Sequence, residues 1–435
     1  MNEIPGLQVH KFGGASVKDA AGIRNVAGIV REYCGAGPLL IVVSAMGKTT
    51  NALEEIFDLA YRQHDYEEPL ERLEKFHRQV ATELHLTAES PLGLGFEKLL
   101  LQLRQRLAKI QPTDDYDESY DQIISFGEML TSQLVTHALG AQCFNCQQLI
   151  TTDTSWREAR VNWPHSETNI HRELTPLLRE GIVVTQGFIG GTSYGVPTLE
   201  NPSKIVYQER TTTLGSEGSD YTAAILAYCL RAESVTIWKD VAGLLNADPK
   251  IFSDTVRYPE ISYRETIEMA YYGASVIHPK TLKPLAERNI PLRVKSFLDP
   301  AAEGTLIHDC QHATLAPAII RKTDQCLLSF ASKDFAFISE ENMALIFSAL
   351  AQAKLKINVM QNSAISFSVC TDFSERRIAQ LLDLLREQFT LHYNTGLTLF
   401  TIKNYDAASI ARLTEGRGLL LEQRTRGTFQ FVCKA

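Results

Sequence analysis

The sequence predicts an α/β chain in which a central, mainly parallel sheet is sandwiched by helices and followed by two small ferredoxin-like α+β units. Three observations carry this. Through the first three hundred residues, short apolar or β-branched segments alternate with segments of helical period, as crossover connections between parallel strands require. From about residue 303 the order changes to strand, helix, strand, strand, and does so twice. Hydrophobic residues make up 44% and charged residues 22% of the 435, which suits a large buried core without a disordered excess.

Strands are expected at 7–12, 39–44, 142–146, 182–186 and 235–239, each short and bounded by glycine or polar turns. Helices are expected at 19–34, 51–64, 71–83, 120–139, 169–180 and 219–231, where apolar residues recur at helical spacing. The stretch 65–121 reads as a charged helical insertion without motifs, suited to a cap or a subunit contact. In the tail, a strand at 325–331, a helix at 342–353, strands at 357–361 and 364–371 and a helix at 374–389 make the first unit. A strand at 397–403, a helix at 406–413 and strands at 419–425 and 428–432 make the second. The expected domains are therefore 1–303, 304–395 and 396–435.

Charge and cysteine usage narrow the class. The formal net charge is −8 and no block of like charges occurs, which argues against a nucleic-acid or anionic-membrane partner. No apolar run approaches the ~20 residues a membrane span needs. The N-terminus shows no secretory pattern, so a cytoplasmic protein is expected. The eight cysteines are scattered in apolar stretches, as reduced core thiols are, and the lone C-x-x-C at Cys143 and Cys146 reads as packing.

Four segments carry chemistry. In Val9-His-Lys-Phe-Gly-Gly-Ala-Ser-Val17 a lysine closes a strand and two glycines follow, a pattern that serves either a phosphate cradle or a plain tight turn. Ser44-Ala-Met-Gly-Lys-Thr-Thr50 imitates a Walker A loop, but Val42 stands where its first glycine belongs. Gly93-Leu-Gly95 likewise begins a dinucleotide fingerprint that Lys98 interrupts. The segment from Arg210 to Thr222 gathers three threonines, glycines, an arginine and Asp220 directly before an apolar helix, whose N-terminus suits anionic oxygen. The run from Ile237 to Lys250 leaves a strand and turns through Asp240, Gly243 and Asp248, as a loop beside a nucleotide or a solvated turn does.

Taken together these segments resemble the aspartokinases, enzymes of the amino-acid-kinase fold that phosphorylate the side-chain carboxylate of L-aspartate. The family's Lys-Phe-Gly-Gly-Thr-Ser-Val is similar to Lys11–Val17, with Ala15 in place of threonine. Its Ser-Ala…Thr-Asn loop resembles Ser44–Asn51, its Gly-Glu pair Gly127-Glu128, and its Thr-Gln-Gly-Phe-Ile-Gly Thr185–Gly190. Its Arg-Thr-Thr-Thr-Leu-Gly…Gly-Ser-Asp-Tyr-Thr-Ala signature stands at Arg210–Ala223, its Asp-Val-x-Gly…Asp-Pro at Asp240–Pro249, and His278-Pro279 extends the set. The family's paired C-terminal ACT domains match the two tail units, and residues 304–320 would complete the second of them. The resemblance implies ATP-dependent phosphoryl transfer to L-aspartate, the first step of lysine, threonine and methionine biosynthesis, with ATP and Mg2+ as cofactors.

By the same resemblance Lys11 offsets phosphate charge and Asp220 is the catalytic aspartate. Gly13, Gly14, Ser16, Thr213 and Ser219 contact phosphate, and Lys239, Asp240, Leu245 and Lys250 fall on the adenosine side. Arg210 is expected to clamp the aspartate α-carboxylate and Glu128 to accept its α-ammonium, with Ser44 and Thr50 lining the same pocket. A homodimer through the ACT units is implied, no separate protein-caged metal is expected, and no fused homoserine dehydrogenase is expected. Departures remain. A lysine that many relatives place before the Val-x-His-Pro segment corresponds to Ser275, with Lys280 or Lys283 as substitutes. Lysine-inhibited relatives carry two acids in the first ACT unit where Met360 and Ala364 stand here. Any effector is therefore expected to use Asn358, Asn362 and Ser363, with weak or absent lysine inhibition. Other amino-acid-kinase-fold enzymes and a non-catalytic amino-acid sensor are the rival readings. The ACT tail disfavours the first, and joint retention of Lys11, Glu128, Arg210 and Asp220 the second.

Overall fold

The computed structural model describes residues 4–35, 37–197, 205–274, 277–311, 315–333 and 337–434. The chain forms two compact units: Met1–Leu244, Pro259–Ile267 and Val276–Gln311 make the first, and Leu245–Tyr258, Glu268–Ser275 and His312–Ala435 the second. The division thus runs after Gln311 rather than residue 303, and two earlier segments go with the tail. Hydrogen bonds explain the first of them. Asn246 donates its side-chain N–H to the Pro317 carbonyl at 3.0 Å and accepts from the Ile319 N–H, while the Tyr258 hydroxyl donates to the Ala316 carbonyl at 2.7 Å.

In the first unit the strands are β1 (Gln8–Phe12), β2 (Leu39–Val43), β3 (Gln142–Phe144), β4 (Ile182–Gln186), β5 (Ile189–Pro197), β6 (Ile205–Thr213), β7 (Ser234–Lys239), β8 (Glu260–Ser262), β9 (Leu292–Ser296) and β10 (Thr305–His308). Eight of them form one sheet in the order β3-β4-β2-β1-β7-β9-β10-β8, parallel except where β10 meets β9. β5 and β6 form a separate antiparallel ribbon, which the strand pattern did not predict. The helices are α1 (Ala20–Tyr33), α2 (Thr49–Tyr61), α3 (Glu67–Glu83), α4 (Pro91–Leu107), α5 (Tyr116–Ile124), α6 (Phe126–Leu139), α7 (Trp163–Glu180), α8 (Gly218–Leu230), α9 (Tyr263–Tyr272), which runs from the first unit into the second, and α10 (Pro279–Glu287).

Every residue of β2 is buried, as a strand covered on both faces must be. Leu39, Ile41 and Val43 pack with α1, α4 and α6 in one core, and strand alternation turns Leu40 and Val42 to the opposite face, where α8 crosses β1, β2 and β7. The expected single helix 120–139 is broken at Ser125 into α5 and α6, which places Glu128 in the first turn of α6, at the positive end of its dipole. The motif Gly93-Leu-Gly95 lies inside α4, and none of the eight cysteines forms a disulfide.

The second unit holds β11 (Ala318–Ser332), α11 (Glu340–Gln352), β12 (Ile357–Asn362), β13 (Ser366–Asp372), α12 (Glu375–Leu385), β14 (Phe389–Lys403), α13 (Ala407–Thr414), β15 (Leu419–Arg424) and β16 (Thr428–Lys434). They make one six-stranded antiparallel sheet in the order β12-β13-β11-β14-β16-β15. The two ferredoxin-like halves share their central strands. Residues 325–331 of β11 pair with β13, whereas 318–322 pair with 399–403 of β14 beside β16. No helix among the described residues is long and apolar enough to cross a membrane.

Candidate active site

In an open parallel sheet, ligands gather beyond the carboxyl ends of the strands where the chain order reverses. Here that point is β1, which has β2 on one side and β7 on the other. β1 ends on Lys11 and Phe12, β2 leads into Ser44 and β7 ends on Lys239. With the N-terminus of α8 they surround a cavity of about 670 Å3. Two glycines allow the close approach. A Cβ on Gly14 would sit 2.7 Å from the Ala45 carbonyl oxygen, and one on Gly187 would sit 2.5 Å from the Ser219 Cβ, so neither position admits a side chain.

One end of the cavity is a buried charge cluster. Lys11 Nζ lies 2.7 Å from Asp220 Oδ1, and Lys239 Nζ lies 3.3 Å from Asp220 Oδ2. Burial acts to raise the Asp220 pKa, but the two ammonium groups outweigh it and hold the carboxyl below the usual carboxylate range. Two positive groups around one carboxylate leave an excess positive charge beside a helix N-terminus, which is an anion site.

Glu128 presents the opposite case. Its Oε1 accepts from the Ala45 N–H at 3.0 Å, while the buried Oε2 has no hydrogen-bond partner. Burial pushes its pKa to about 7, against the pull of the Ala45 N–H and of Lys11. A buried carboxyl oxygen without a partner is costly unless a ligand supplies one, and the fitting ligand group is a cation with N–H donors.

Of the residues expected from the sequence, Lys11, Gly14, Ser44, Thr50, Glu128, Thr213, Ser219, Asp220 and Lys239 line this cavity together. Gly13 and Ser16 are not in the lining, and the Ser16 N–H donates to the Gly13 carbonyl at 2.9 Å. Asp240 and Lys250 are exposed, and Leu245 forms an isolated bridge with Arg257; the latter two belong to the second unit. Ser275 falls outside the described residues, and Lys280 and Lys283 are exposed on α10, away from the cavity lining.

Arg210 is placed apart from the other expected residues. It does not line this cavity but a neighbouring one of about 460 Å3, where its Nε donates to Glu118 Oε1 at 3.0 Å. The reason lies in the strand. Arg210 and Thr213 are three residues, about 10 Å, apart in β6, and bond to Glu118 and Asp121, which lie about one turn apart on α5. Thr213 takes the cavity side.

Several lining residues carry no motif. Tyr120 comes from α5, inside the insertion expected to be featureless, and Arg157 and Glu158 come from the loop after β3. Asp121 fastens these parts together. It accepts from the Arg157 N–H at 3.0 Å, the Thr213 N–H at 2.8 Å and the Thr213 hydroxyl at 2.7 Å. Burial raises its pKa against those three donors. An acid at helical spacing among polar residues gives no local hint of such a role.

The expected effector residues have separate partners in the fold. Asn358 is committed to a network in which it accepts from Lys322 Nζ at 2.9 Å and donates to Gln325 Oε1 at 2.8 Å and Asp372 Oδ1 at 2.9 Å. Tyr271, Tyr272, Lys356 and Leu399 line the same small pocket. Ser363 closes the turn to Ser366, and Asn362 is exposed.

The amino acid kinase family model matches residues 6–296. The lysine-sensitive aspartokinase 3 of Escherichia coli strain K12 is 33% identical over 376 residues, covering 84% of this chain and 78% of that protein. A bifunctional aspartokinase/homoserine dehydrogenase of Daucus carota is 29% identical over 412 residues, and the chain spans 42% of its length. The crystal structure of E. coli aspartokinase III with aspartate and ADP superposes with a TM-score of 0.78 at 27% identity, covering 98% of this chain and 96% of that one.

Proposed function

The chain belongs to the amino acid kinase family and, within it, to the aspartokinases, and from that premise we propose that the cavity transfers the γ-phosphoryl group of ATP to the β-carboxylate of L-aspartate, giving 4-phospho-L-aspartate. The observation that carries the reading is the pairing, in one cavity, of the Lys11–Asp220–Lys239 cluster with the unpartnered Glu128 oxygen. The first suits phosphate, the second an α-ammonium group.

The chemistry needs no general base, because a carboxylate with a pKa of ~4 is already an ionised nucleophile. The barrier lies in bringing two anions together in line, so positioning and charge relief dominate. Lys11 and Lys239 supply the positive charge, and Asp220 holds both ammonium groups in place. Gly14, Ser219 and Thr213 would receive phosphate oxygens, while Ser44 and Thr50 would flank the aspartate. Binding of the α-ammonium gives Glu128 Oε2 its partner and draws its pKa down, so substrate recognition and ionisation are linked.

Magnesium fits as an ion carried on the nucleotide rather than one caged by the protein. Asp220 is a single buried carboxylate at the phosphate end, and among the described residues no group of three or more His, Cys, Asp or Glu could hold a metal. Such an ion takes one or two carboxylates together with phosphate oxygens, and when bound it would neutralise phosphate charge. The reading includes a homodimer formed through the second unit, in the cytoplasm. Phe337, Leu345, Phe347 and Ile365 of that unit are exposed, with Phe337 at 76%, which supports a covered apolar face.

The test is a hydroxylamine trap. Purified protein given L-aspartate, ATP and a divalent cation should form aspartyl hydroxamate, and omission of any one should abolish it. Absence of product, or equal turnover of N-acetylglutamate or UMP, would overturn the assignment.

A further inference from the structure

The insertion 65–121 sets one buried titratable side chain against the loop that lines the cavity beside Glu128. That side chain is His77 on α3, which is fully buried, and its partner is Thr49. Thr49 Oγ1 lies 3.3 Å from His77 Nε2, and the other ring nitrogen, Nδ1, lies 2.8 Å from the Leu73 carbonyl oxygen one turn earlier. A carbonyl only accepts, so Nδ1 carries the proton and Nε2 presents a lone pair to which the Thr49 hydroxyl donates. Burial lowers the His77 pKa to about 4, which keeps the ring in this neutral form. The acid three residues earlier, Glu74, is engaged by Arg78 at 3.0 Å and Arg104 at 2.6 Å.

The loop needs an anchor at this point. Its middle is fastened by the Gly47 N–H, which donates to the Gly14 carbonyl at 3.1 Å. Its end is the first turn of α2, where Lys48 at the N-cap makes no side-chain cap bond, so the usual local anchor of a helix start is missing. Thr49 precedes Thr50, which lines the cavity, and it also bears on Glu128. A Cβ on Gly127 would sit 2.8 Å from Ala45 Cβ and 3.5 Å from Thr49 Cγ2, so the start of α6 packs directly on both loop residues, and the Ala45 N–H donates to Glu128. Thr49 and His77 themselves are not in the lining.

Resting on the aspartate kinase reading, we propose that His77 is a positioning residue for the amino-acid substrate: by accepting the Thr49 hydroxyl it fixes the loop that presents Ser44, Thr50 and the Glu128 carboxylate to aspartate. The phosphate cluster of Lys11, Asp220 and Lys239 is carried by β1, α8 and β7 and does not depend on this bond.

The experiment is steady-state kinetics of the full chain with Mg-ATP, as wild type, T49V, T49S, H77L, H77Q and T49V/H77L, with melting temperatures alongside. Valine keeps the shape of threonine and removes only the hydroxyl, and leucine fills the histidine site without an acceptor. Each of T49V and H77L should raise KM for aspartate roughly 3- to 10-fold, as loss of one buried hydrogen bond does, and leave kcat and KM for ATP within about twofold. The double variant should be no worse than the poorer single one, because both changes remove the same bond. T49S keeps the hydroxyl and H77Q brings an amide carbonyl to the place of Nε2, so both should stay within about twofold of wild type. An equal rise in both KM values, effects that multiply in the double variant, or H77Q no better than H77L would overturn the inference. So would a lowered melting temperature with aspartate KM unchanged, which is a role in folding alone. If H77L does not fold, T49V against T49S decides it. Wild-type protein that turns over no aspartate would instead defeat the kinase reading, and the inference with it.

Discussion

Replacing Glu128 with glutamine should make the protein more stable and less active at once. Glu128 titrates at about 7 in the folded chain against an ordinary value of 4.5. At about 1.36 kcal/mol per unit this displacement corresponds to roughly 3 kcal/mol by which the ionised side chain opposes folding. The folded state binds the proton more tightly, so stability is lost as pH rises from about 4.5 to 7 and stays lost above. Glutamine is uncharged throughout, and its carbonyl can still accept the Ala45 N–H. The E128Q protein should therefore unfold with an advantage approaching 3 kcal/mol at pH 8, which is on the order of 5–10 °C for a unit of this size, and with less than about 1 kcal/mol at pH 5. Activity moves the other way. Without the carboxylate the incoming ammonium loses a buried ionic partner, at a cost of about 2–5 kcal/mol, so kcat/KM for aspartate should fall about 30-fold to several thousandfold while nucleotide affinity is nearly kept. Calorimetry across pH 5–8 and steady-state kinetics read the two effects. A pH-independent stability difference would refute the burial argument, and a main effect on ATP affinity would refute the placing of Glu128.

Three further outcomes are expected. K11M and D220N should lower kcat far more than they raise KM for aspartate, because their partner is charge that develops during transfer; near wild-type kcat in either would remove that residue from the machinery. N358A should cost about 1–3 kcal/mol of stability in the second unit by removing the acceptor of Lys322 Nζ and one of the two amide donors to Asp372, measured by denaturant unfolding, and should leave any effector response unchanged. Lysine titrated into the assay should inhibit weakly or not at all, since Met360 and Ala364 carry no charge; strong inhibition at sub-millimolar lysine would show that acids elsewhere in the chain replace them.

Much of this molecule is local. The apolar runs of β1, β2, β4 and β7, the helical periods of α1 and α8, and the glycines at 14 and 187 are readable in order, because propensity and turn chemistry act over a few residues. The same is true of the tail, where α11 and α13 begin at Ser339 and Asp406, both capping residues whose side chains accept from the backbone three residues on. The break between α5 and α6 is less legible, since apolar spacing continues through it, and the β5–β6 ribbon, rich in Gly and Thr, has no apolar run to announce it.

The class of fold, the family and the residues able to handle phosphate and an amino acid are all legible along the chain. Which of those residues meet depends on how distant segments pack. Lys11 and Asp220 lie far apart in the chain and come within 2.7 Å because β1 and β7 pair in parallel while α8 crosses their carboxyl ends. Arg210, within the strongest motif, bonds to Glu118 beside a second cavity, whereas Arg157, in no motif, is fastened into the lining of the first by Asp121 on α5. A residue's chemistry travels with its side chain, but its ionisation and its partners depend on which groups lose water together, and that is settled by packing between segments distant in the chain.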